Sequence, residues 1–475
     1  MLSRSSSRAV SDETVCCSKS GNINLAMQQG QFDYIKDYPA KSSVIVNVVS
    51  RSRNSRYRML PVDEALKVIF EELKTYEKQS VLLPVDSAND HVLTEPVYSP
   101  EPLPAFAASI KDGYAVIAAD GDGLRKVLQP EGFGSHNDLI LQPGYCKRVN
   151  TGAPLIEGAD AVVEVEQTEL FDATDDKEDI IKIRKAAQVG QDVRQIGCDV
   201  AMGECILSAG FRLTSSETSV LNSVGVRDVK VAKKPSIGIV STGDEICEHS
   251  INPLPYGKVR DTNRPMLISL MREHGFGADD FGIVPDEPDS ILALFKMAFK
   301  SADVIISSGG MSMGDRDLLK EVLMQDLGFK LHFGRVFMKP GKPTAFMSGY
   351  MYDRKKFFFG LPGNPVSAWV TAHVCVLPAL FRMEGQHCDP FPIVSVTVDS
   401  SYDLDPRPEY VRAFYSADGG TKPWHAKIFD HNQSSSRLMS IRHTNMLLML
   451  PQWTVERTKI IAGEIVQGII VRLHV

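Results

Sequence analysis

Acidic side chains and glycine-rich turns follow four short apolar runs between residues 234 and 385. Glycine-rich turns that lead into helices can present backbone N–H groups to an anion. Carboxylates facing a phosphate would repel it, so a bridging Mg²⁺ is expected beside them. These residue types therefore predict a site for a phosphorylated or oxyanionic ligand that is handled with Mg²⁺. In chain order, SIGIV (236–240) precedes Asp244 and Glu245, FGIV (281–284) precedes Asp286, DVIIS (303–307) precedes SGGMSMGDRD with Asp317, and FFFG (357–360) precedes LPGNPVSA.

Three cationic side chains in RVFMKPGKPTAF add to this chemistry. Arg335, Lys339 and Lys342 could neutralise an oxyanion. Each feature also has an ordinary structural interpretation, because a Gly-Gly turn often only connects a strand to a helix and a carboxylate near a helix start often caps it. Their convergence on one rim favours the functional interpretation. No Ser-His-Asp or Cys-His arrangement competes for that rim, and His332 and His373 are interpreted as packing or surface residues.

The elements that must position these residues alternate along the chain. SIGIV, FGIV, DVIIS and FFFG are typical of buried strands, and a helical pattern follows each of them. This alternation predicts βαβ units around a parallel sheet. Ligands of such sheets bind beyond the carboxyl ends of the strands, which is where the acidic and glycine-rich turns lie.

The rest of the chain shows other patterns. Apolar residues at helical spacing in LPVDEALKVIFEELKTY predict an amphipathic helix that begins near Pro61. Short runs broken by glycine turns predict an inserted β-rich lobe, and the chain from about residue 390 is typical of a small all-β domain. Residues 1–58 are typical of a disordered extension. Within it, SVIVNVV (43–49) is either a small strand or a docking motif.

Composition excludes several classes of protein. The chain has 475 residues, 43% of them hydrophobic and 23% charged, with a net charge of −7 and a mean hydropathy of −0.11. No run reaches the ~18 apolar residues that a membrane span needs, and the net negative charge does not favour a nucleic-acid partner. The 8 cysteines include no C-x-x-C pair. This favours reduced thiols in the cytoplasm over a disulfide framework or a structural zinc site.

Several longer motifs resemble the molybdopterin molybdenumtransferase family, which comprises bacterial MoeA and the E domains of plant and animal homologues. The similarity covers roughly residues 59–475 and is greatest to the E domain of animal gephyrins. Together these motifs are highly specific. They are SIKDGYAV, NTGAPLIEGADAVVEVE, STGDE, DTNRPML, ADVIISSGGMSMGDRD, RVFMKPGKP, LPGNPVSA, DPRPEYVR and SSSRLMSIRHTNMLLMLP.

The resemblance implies a multidomain α/β plus β fold of the MoeA type, assembled as a homodimer. The site is then expected between the α/β domain of one chain and the β lobe of its partner. After the extension (1–58), the implied parts are an elongated discontinuous subdomain (59–108 and 197–233), the inserted β lobe (109–196), a central MogA-like α/β parallel-sheet domain (234–385) and a C-terminal β domain (386–475).

The resemblance also implies an enzyme of molybdenum cofactor biosynthesis. Molybdate would be joined to the dithiolene sulfurs of adenylylated molybdopterin, with Mg²⁺-dependent release of AMP. The matched motifs imply catalytic roles for Asp112, Glu245, Asp286, Asp317 and Lys339, with Glu245, Asp286 and Asp317 also holding the metal. The implied substrate-binding residues are Thr151, Asp199, Ser308, Gly309, Gly310, Ser312, Gly314, Arg335, Lys342, Pro362, Gly363, Asn364 and Ser367.

The same resemblance implies partners. No adenylyltransferase domain fits before residue 59, so a separate G-domain-like protein is expected to supply the adenylylated substrate. The alternative function is a gephyrin-like scaffold that clusters inhibitory receptors or binds cytoskeletal partners, with Asp63, Leu66, Tyr410 and Pro451 at the matching positions. Gephyrin has an aromatic residue where this chain has Leu66, and core packing explains Leu66 about as well. The set of catalytic motifs favours the enzyme.

Overall fold

The chain forms two compact units in the computed structural model, which describes residues 38, 40–44, 58–129, 140–174, 177–310, 318–386, 391–416 and 424–472. The inserted unit is Ser80–Ala232, and the main unit joins Met1–Gln79 to Lys233–Val475. The four-part division expected from the resemblance is finer than this and stays a prediction. The described helices are α1 (Val62–Leu73), α2 (Ser215–Ser223), α3 (Asn263–Glu273), α4 (Pro288–Ser301), α5 (Leu318–Gln325), α6 (Pro365–Thr371) and α7 (Leu377–Glu384).

The inserted unit is built mainly of short strands. Its largest sheet has the order β7-β4-β6-β5-β9-β8, and three antiparallel pairs join β1 to β12, β2 to β11 and β3 to β10. Helix α2 begins with a capping box between Thr214 and Glu217. The strands are β1 (Ser80–Pro84), β2 (Val97–Tyr98), β3 (Ala108–Ser109), β4 (Gly113–Val116), β5 (Gly123–Val127), β6 (Tyr145–Val149), β7 (Ala161–Glu164), β8 (Thr168–Thr174), β9 (Lys177–Ile183), β10 (Val193–Arg194), β11 (Cys205–Leu207) and β12 (Asp228–Ala232), with 3₁₀ turns at Val85–Ser87, Ala118–Asp120 and Val165–Gln167.

The main unit contains an α/β domain whose six-stranded sheet has the order β16-β13-β17-β20-β19-β18. Strands β16, β13, β17 and β20 are parallel, which confirms the four strands predicted from the sequence. Strand β19 runs antiparallel to both of its neighbours, and neither it nor β18 was predicted from the sequence. The strands are β13 (Ile237–Thr242), β14 (Ile246–Cys247), β15 (Val259–Arg260), β16 (Ala278–Val284), β17 (Val304–Ser308), β18 (Lys330–Phe333), β19 (Ala345–Met351) and β20 (Arg354–Leu361).

One long helix, predicted from the sequence, closes the α/β domain. It runs through Pro365–Glu384 and widens into a π-turn at Ala372–Val376, between α6 and α7. Pro378 lies two residues after this turn and lacks the N–H that a regular helix would use, which accounts for the widening. By length and composition this stretch could cross a membrane, but 94% of its most apolar window is buried inside the protein. It is a core helix of this unit.

A small β-barrel completes the main unit and confirms the predicted C-terminal all-β part. The barrel closes in the order β21-β24-β23-β25-β27, and β22 pairs with β26 beside it. Helix α1 packs its buried Ala65, Ile69 and Leu73 into a core shared with the α/β domain. The strands are β21 (Ile393–Val398), β22 (Tyr402–Asp403), β23 (Glu409–Ser416), β24 (His425–Lys427), β25 (Met446–Leu450), β26 (Lys459–Ile460) and β27 (Ile465–Ile470), with a 3₁₀ turn at Leu438–Ile441.

Part of the N-terminal extension is ordered. Residues 40–44 are described, and Val44 is 8% exposed and belongs to a buried cluster of the α/β domain. The prediction of disorder for residues 1–58 is therefore wrong for this short segment, because the α/β domain supplies apolar and carboxylate partners that the segment's composition does not reveal. The other described residues before 59 are Tyr38 and Arg58, and the rest of the extension lies outside the described residues.

A buried charged group holds the amino end of the sheet together. Asp303 is 3% exposed and accepts from Lys356 Nζ at 3.3 Å and from Tyr76 Oη at 3.3 Å. Lys356 is 2% exposed and also donates to the Ala302 carbonyl at 2.7 Å. Burial lowers the pKa of Lys356, and the Asp303 carboxylate counteracts this by favouring the charged ammonium.

Asp303→Ala is expected to lower the free energy of unfolding by about 3–5 kcal/mol, because it leaves the Lys356 charge buried without its counter-ion. Urea unfolding followed by tryptophan fluorescence measures this, since all 3 tryptophans lie in the main unit. Asp403→Ala, which removes an exposed carboxylate on β22, is the matched control. Equal unfolding midpoints for the two variants would contradict the prediction.

Candidate functional site

The carboxyl ends of the four parallel strands meet at one edge of the sheet, as predicted. Glu245 follows β13, Asp286 follows β16, and the Gly309–Gly310 turn follows β17. The turn after β20 leads through Gly363 into α6. The structure therefore brings the acidic and glycine-rich turns of this domain to a common rim.

Hydrogen bonds fix the relative positions of these turns. The Asn263 amide, at the start of α3, donates to Ser308 Oγ at 2.7 Å and to the Gly363 carbonyl at 2.7 Å. The Thr242 hydroxyl donates to the Asp286 carboxylate at 2.6 Å. Asn263 thus connects the start of α3 to the turns after β17 and β20, and Thr242 connects the end of β13 to the turn after β16.

The Gly-Gly turn requires glycine for steric reasons. Gly309 has φ +91° and Gly310 has φ +67°, in the left-handed region that disfavours other residues. A Cβ atom on Gly309 would lie 2.3 Å from the Thr242 carbonyl oxygen, and one on Gly310 would lie 2.8 Å from the Thr242 methyl group. The backbone of this turn can therefore approach both its neighbours and a ligand closely.

A pocket of about 760 Å³ lies over this rim. Its walls carry both signs of charge. Glu245 and Asp261 are acidic, and Arg260 and Lys342 are basic. Three glycines and three prolines contribute to the wall, and α6 begins at its edge. The lining residues are Glu245, Ile246, Val259, Arg260, Asp261, Thr262, Asn263, Gly309, Gly310, Lys342, Pro343, Pro362, Gly363, Asn364 and Pro365.

A smaller pocket of about 170 Å³ adjoins the first one. The two share Lys342, Pro343, Pro362 and Asn364 as a common wall. Arg407 and Ser435 of the β-barrel part line the smaller pocket, and Asn364 Nδ2 donates to Ser435 Oγ at 2.9 Å. The remaining lining residues are Lys339, Pro340, Gly341, Ser367 and Gln433.

Lys339 is paired with two carboxylates. Its Nζ lies 3.1 Å from Asp405 Oδ2 and 3.1 Å from Glu409 Oε1. Burial raises the pKa of Asp405, but hydrogen bonds from Arg407 and Lys339 outweigh it, so the net pKa is lowered and the group stays ionised at neutral pH. Burial raises the pKa of Glu409, and Lys339 counteracts part of that increase. Lys339 thus joins the α/β domain to the barrel, and its predicted catalytic role stays a prediction.

Other predicted residues lie apart from these pockets. Arg335 lines neither of them, although its backbone oxygen accepts from Leu60 N at 3.1 Å. In the inserted unit, Thr151 donates to Asp112 from its N–H at 2.7 Å and from its hydroxyl at 3.1 Å, and these bonds lower the pKa of Asp112. Asp199 pairs with Arg194. Asp317, Ser312 and Gly314 lie outside the described residues.

The predicted Mg²⁺ ligands are only partly described. Among the described residues, no group of three or more His, Cys, Asp or Glu side chains is arranged to hold a metal ion. Glu245 lines the larger pocket and Asp286 lies beside Thr242 at its rim. Two carboxylates suit Mg²⁺, which usually takes its remaining ligands from water and substrate phosphates. Glu245 and Asp286 have the side-chain chemistry of Mg²⁺ ligands, and the metal site stays a prediction.

The positions predicted to bind a partner peptide lie in packed surroundings. Tyr410 is 6% exposed and Leu66 packs against the same core cluster. Tyr410 and Pro451 line a pocket of about 370 Å³ on the barrel, and Asp63 is exposed on α1. Peptide binding at these positions stays a prediction.

Sequence reasoning assigned no role to three residues that the structure brings to the site. Asn263, Arg407 and Ser435 occur in DTNRPML, DPRPEYVR and SSSRLM, which carry the family resemblance but no recognisable binding pattern. Their positions, at the start of α3 for Asn263 and on the barrel for Arg407 and Ser435, carry no local signal of ligand binding. Only the tertiary structure shows that all three reach the same rim.

The fold is a mixed α/β fold with an inserted β unit and a small closed barrel, and two family models match the chain. The model of the MoeA N-terminal region (domain I and II) matches residues 60–225, and that of a probable molybdopterin binding domain matches residues 238–382. A MoeA structure from Pyrococcus horikoshii has a TM-score of 0.72 and 25% identity over 87% of this chain and 100% of its own. The chain therefore has a MoeA-like fold.

Sequence identity to known proteins supports the same family. Molybdenum cofactor synthesis protein cinnamon of Drosophila melanogaster is 39% identical over 88% of this chain and 67% of its own length. Gephyrin of Dictyostelium discoideum is 34% identical over 85% and 61%, and molybdopterin molybdenumtransferase of Haemophilus influenzae is 34% identical over 69% and 78%. This chain belongs to the molybdopterin molybdenumtransferase family of molybdenum cofactor biosynthesis. It spans about two thirds of the length of the first two relatives.

Gly309→Ala is expected to lower the free energy of unfolding by at least ~2 kcal/mol, because alanine is strained at this φ and its Cβ would overlap the Thr242 carbonyl. Thermal unfolding of the full chain measures the loss. Gly277→Ala is the matched control, since no atom lies within 4 Å of a Cβ at that position. A Gly309→Ala variant as stable as the control would show that the turn does not need glycine.

Proposed function

We propose that this chain inserts molybdate into the dithiolene of adenylylated molybdopterin, with Mg²⁺-dependent release of AMP. The observation that carries the proposal is the pair of adjoining pockets with a shared wall. One pocket suits a phosphorylated organic substrate and the other suits a small oxyanion. Their contact would hold the two reactants side by side, which is the main contribution that a protein can make to joining them.

The larger pocket has the properties expected of the site for adenylylated molybdopterin. A volume of about 760 Å³ is in the usual range for small-molecule sites. The Gly309–Gly310 turn and the start of α6 can offer backbone N–H groups to phosphate oxygens. Ser308 and Gly363 are held by Asn263, so these donors would be in place before the substrate binds.

The smaller pocket has the size and charge for molybdate. Lys342 and Arg407 provide cationic side chains, of which Arg407 is already paired through its Nε with Asp405 Oδ1 at 3.0 Å, and the Ser367 and Ser435 side chains add hydroxyls. A tetrahedral dianion can accept from all of these donors. The dithiolene is part of the other substrate, so the protein needs no cysteine at this site. Molybdate here would lie next to the pterin across the wall that includes Lys342.

Mg²⁺ would be held by Glu245 and Asp286, together with Asp317. When bound, it would neutralise charge on the phosphoanhydride that breaks as AMP leaves. The Thr242 hydroxyl orients the Asp286 carboxylate through its hydrogen bond. Lys339 would act by fixing the loop that carries Lys342, since its own charge is shared with Asp405 and Glu409.

The family also supports further proposals about assembly. We propose a cytoplasmic homodimer that receives its adenylylated substrate from a G-domain-like adenylyltransferase. Asp112, Thr151 and Asp199 of the inserted unit, and Arg335, are proposed to contribute to substrate binding as the matched motifs imply. The hydrogen bonds from Thr151 lower the pKa of Asp112 and so favour its charged form, in keeping with a polar or metal-facing role.

Arg407→Ala is expected to raise the molybdate concentration for half-maximal activity by roughly 10- to 100-fold, because a charged hydrogen bond to the dianion is lost. The assay reconstitutes an apo molybdoenzyme from adenylylated molybdopterin, Mg²⁺ and varied molybdate. Arg442→Ala, which removes an exposed arginine that lines neither pocket, is the control. An unchanged molybdate dependence in folded Arg407→Ala protein would place molybdate elsewhere.

Glu245→Gln and Asp286→Asn are each expected to slow Mg²⁺-dependent AMP release by roughly 10²-fold, because one carboxylate is lost from the site of phosphoanhydride cleavage. AMP release is followed while Mg²⁺ is varied, and raising Mg²⁺ should recover part of the activity. Glu456→Gln, an exposed position outside both pockets, serves as the control. If folded wild-type protein releases no AMP in the presence of both substrates, the insertase proposal fails and the scaffold alternative becomes the leading one.

A further inference from the structure

A short N-terminal segment, Ala40–Val44, lies against the α/β domain in a specific arrangement. The Ser42 N–H donates to Asp289 Oδ1 at 2.7 Å, in the first turn of α4. The Tyr38 ring lies 5.9 Å from Lys300 Nζ, at the other end of α4. The segment therefore runs along α4 from its last turn to its first.

Asp326, directly after α5, is the main polar partner of the segment. Its carboxylate accepts from the Ser42 hydroxyl at 2.5 Å, from the Ser43 N–H at 2.8 Å and from the Ser43 hydroxyl at 2.5 Å. Burial raises the pKa of Asp326, but the bonds from Ser42 and Ser43 outweigh it and the net pKa is lowered. The positive charge of Lys296 on α4 also favours the ionised form of Asp326, whose carboxylate accepts its hydrogen bonds, within the described part of the chain, from the two adjacent serines.

Apolar contacts complete the arrangement. Val44 is 8% exposed and belongs to the same buried cluster as Phe299 of α4 and Leu323 of α5, and Ala40 packs against that cluster. The contact is sequence-specific, because Ser42 and Ser43 bond a carboxylate and Val44 enters an apolar core. A solvated linker would satisfy its backbone with water instead.

We propose that α4, α5 and Asp326 form a docking site for the Ser-Ser-Val segment of this same chain, and that a negative charge on Ser42 or Ser43 opens it. The docked segment anchors the N-terminal extension to the α/β domain. A phosphate ester or an acidic residue at either serine would meet the Asp326 and Asp289 carboxylates and lose the hydroxyl donors. The contact lies apart from the rim pockets and does not depend on the proposed function.

Hydrogen exchange of the full chain tests the docking directly, because two of the bonds are made by the amides of Ser42 and Ser43. Asp326→Ala is expected to raise amide exchange of the segment about tenfold or more, since bonds to a charged acceptor are lost. Glu321→Gln, on α5 but with no bond to the segment, is the matched control. Unchanged exchange in Asp326→Ala, with α4 and α5 still protected, would overturn the docking site.

A comparison of two substitutions tests the effect of charge. Ser43→Ala removes one hydroxyl bond, whereas Ser43→Asp also adds repulsion, so exchange should be several-fold faster in Ser43→Asp. Equal exchange in the two variants would overturn the charge-sensitive part of the proposal. A labelled synthetic peptide of residues 36–47 should then bind the Ser43→Asp chain in trans more tightly than it binds the wild-type chain, whose site is occupied, and equal binding to the two chains would overturn the assignment of the segment as the occupant.

Discussion

The Asn263 amide is the interaction on which the candidate site depends most directly. It connects the start of α3 to the end of β17 and to the turn after β20, through Ser308 and Gly363. A parallel sheet brings strand ends to one edge but leaves the loops free to diverge. A buried amide with two acceptors at 2.7 Å removes that freedom, and the pocket walls are therefore set by the fold before any ligand is present.

Charged side chains are arranged differently at the amino and carboxyl ends of the parallel strands. At the amino end, Asp303 and Lys356 are almost fully buried and neutralise each other, which serves stability. At the carboxyl end, Glu245, Arg260 and Lys342 line an open pocket. Burying unpaired charge is costly, which accounts for the close pairing at the amino end, whereas the charges on the accessible rim can be solvated without such a partner.

The sequence predicts the scaffold well and the site only in part. The parallel strands are short buried runs of Ile, Val and Phe with glycine turns after them, and this local signal is strong enough to predict their order along the chain. Strands β18 and β19 were missed because KLHF and AFMSGYM have no clear alternation. Arg407 was missed as a site residue because its approach to Lys342 depends on how the barrel packs, which no local pattern encodes.

Lys339 and Lys342 show why spacing alone could not assign roles. Both occur in MKPGKP and both line the smaller pocket, but only Lys339 is held by Asp405 and Glu409. Among the described residues Lys342 has no such ion pair, and it lies in the wall between the two pockets. Because two carboxylates neutralise Lys339, this lysine mainly holds its loop against the barrel. Lys342 lines both pockets, so its charge can interact with an anion in either one. The two lysines look alike in the sequence, and the carboxylates of the barrel distinguish them by pairing with Lys339 alone.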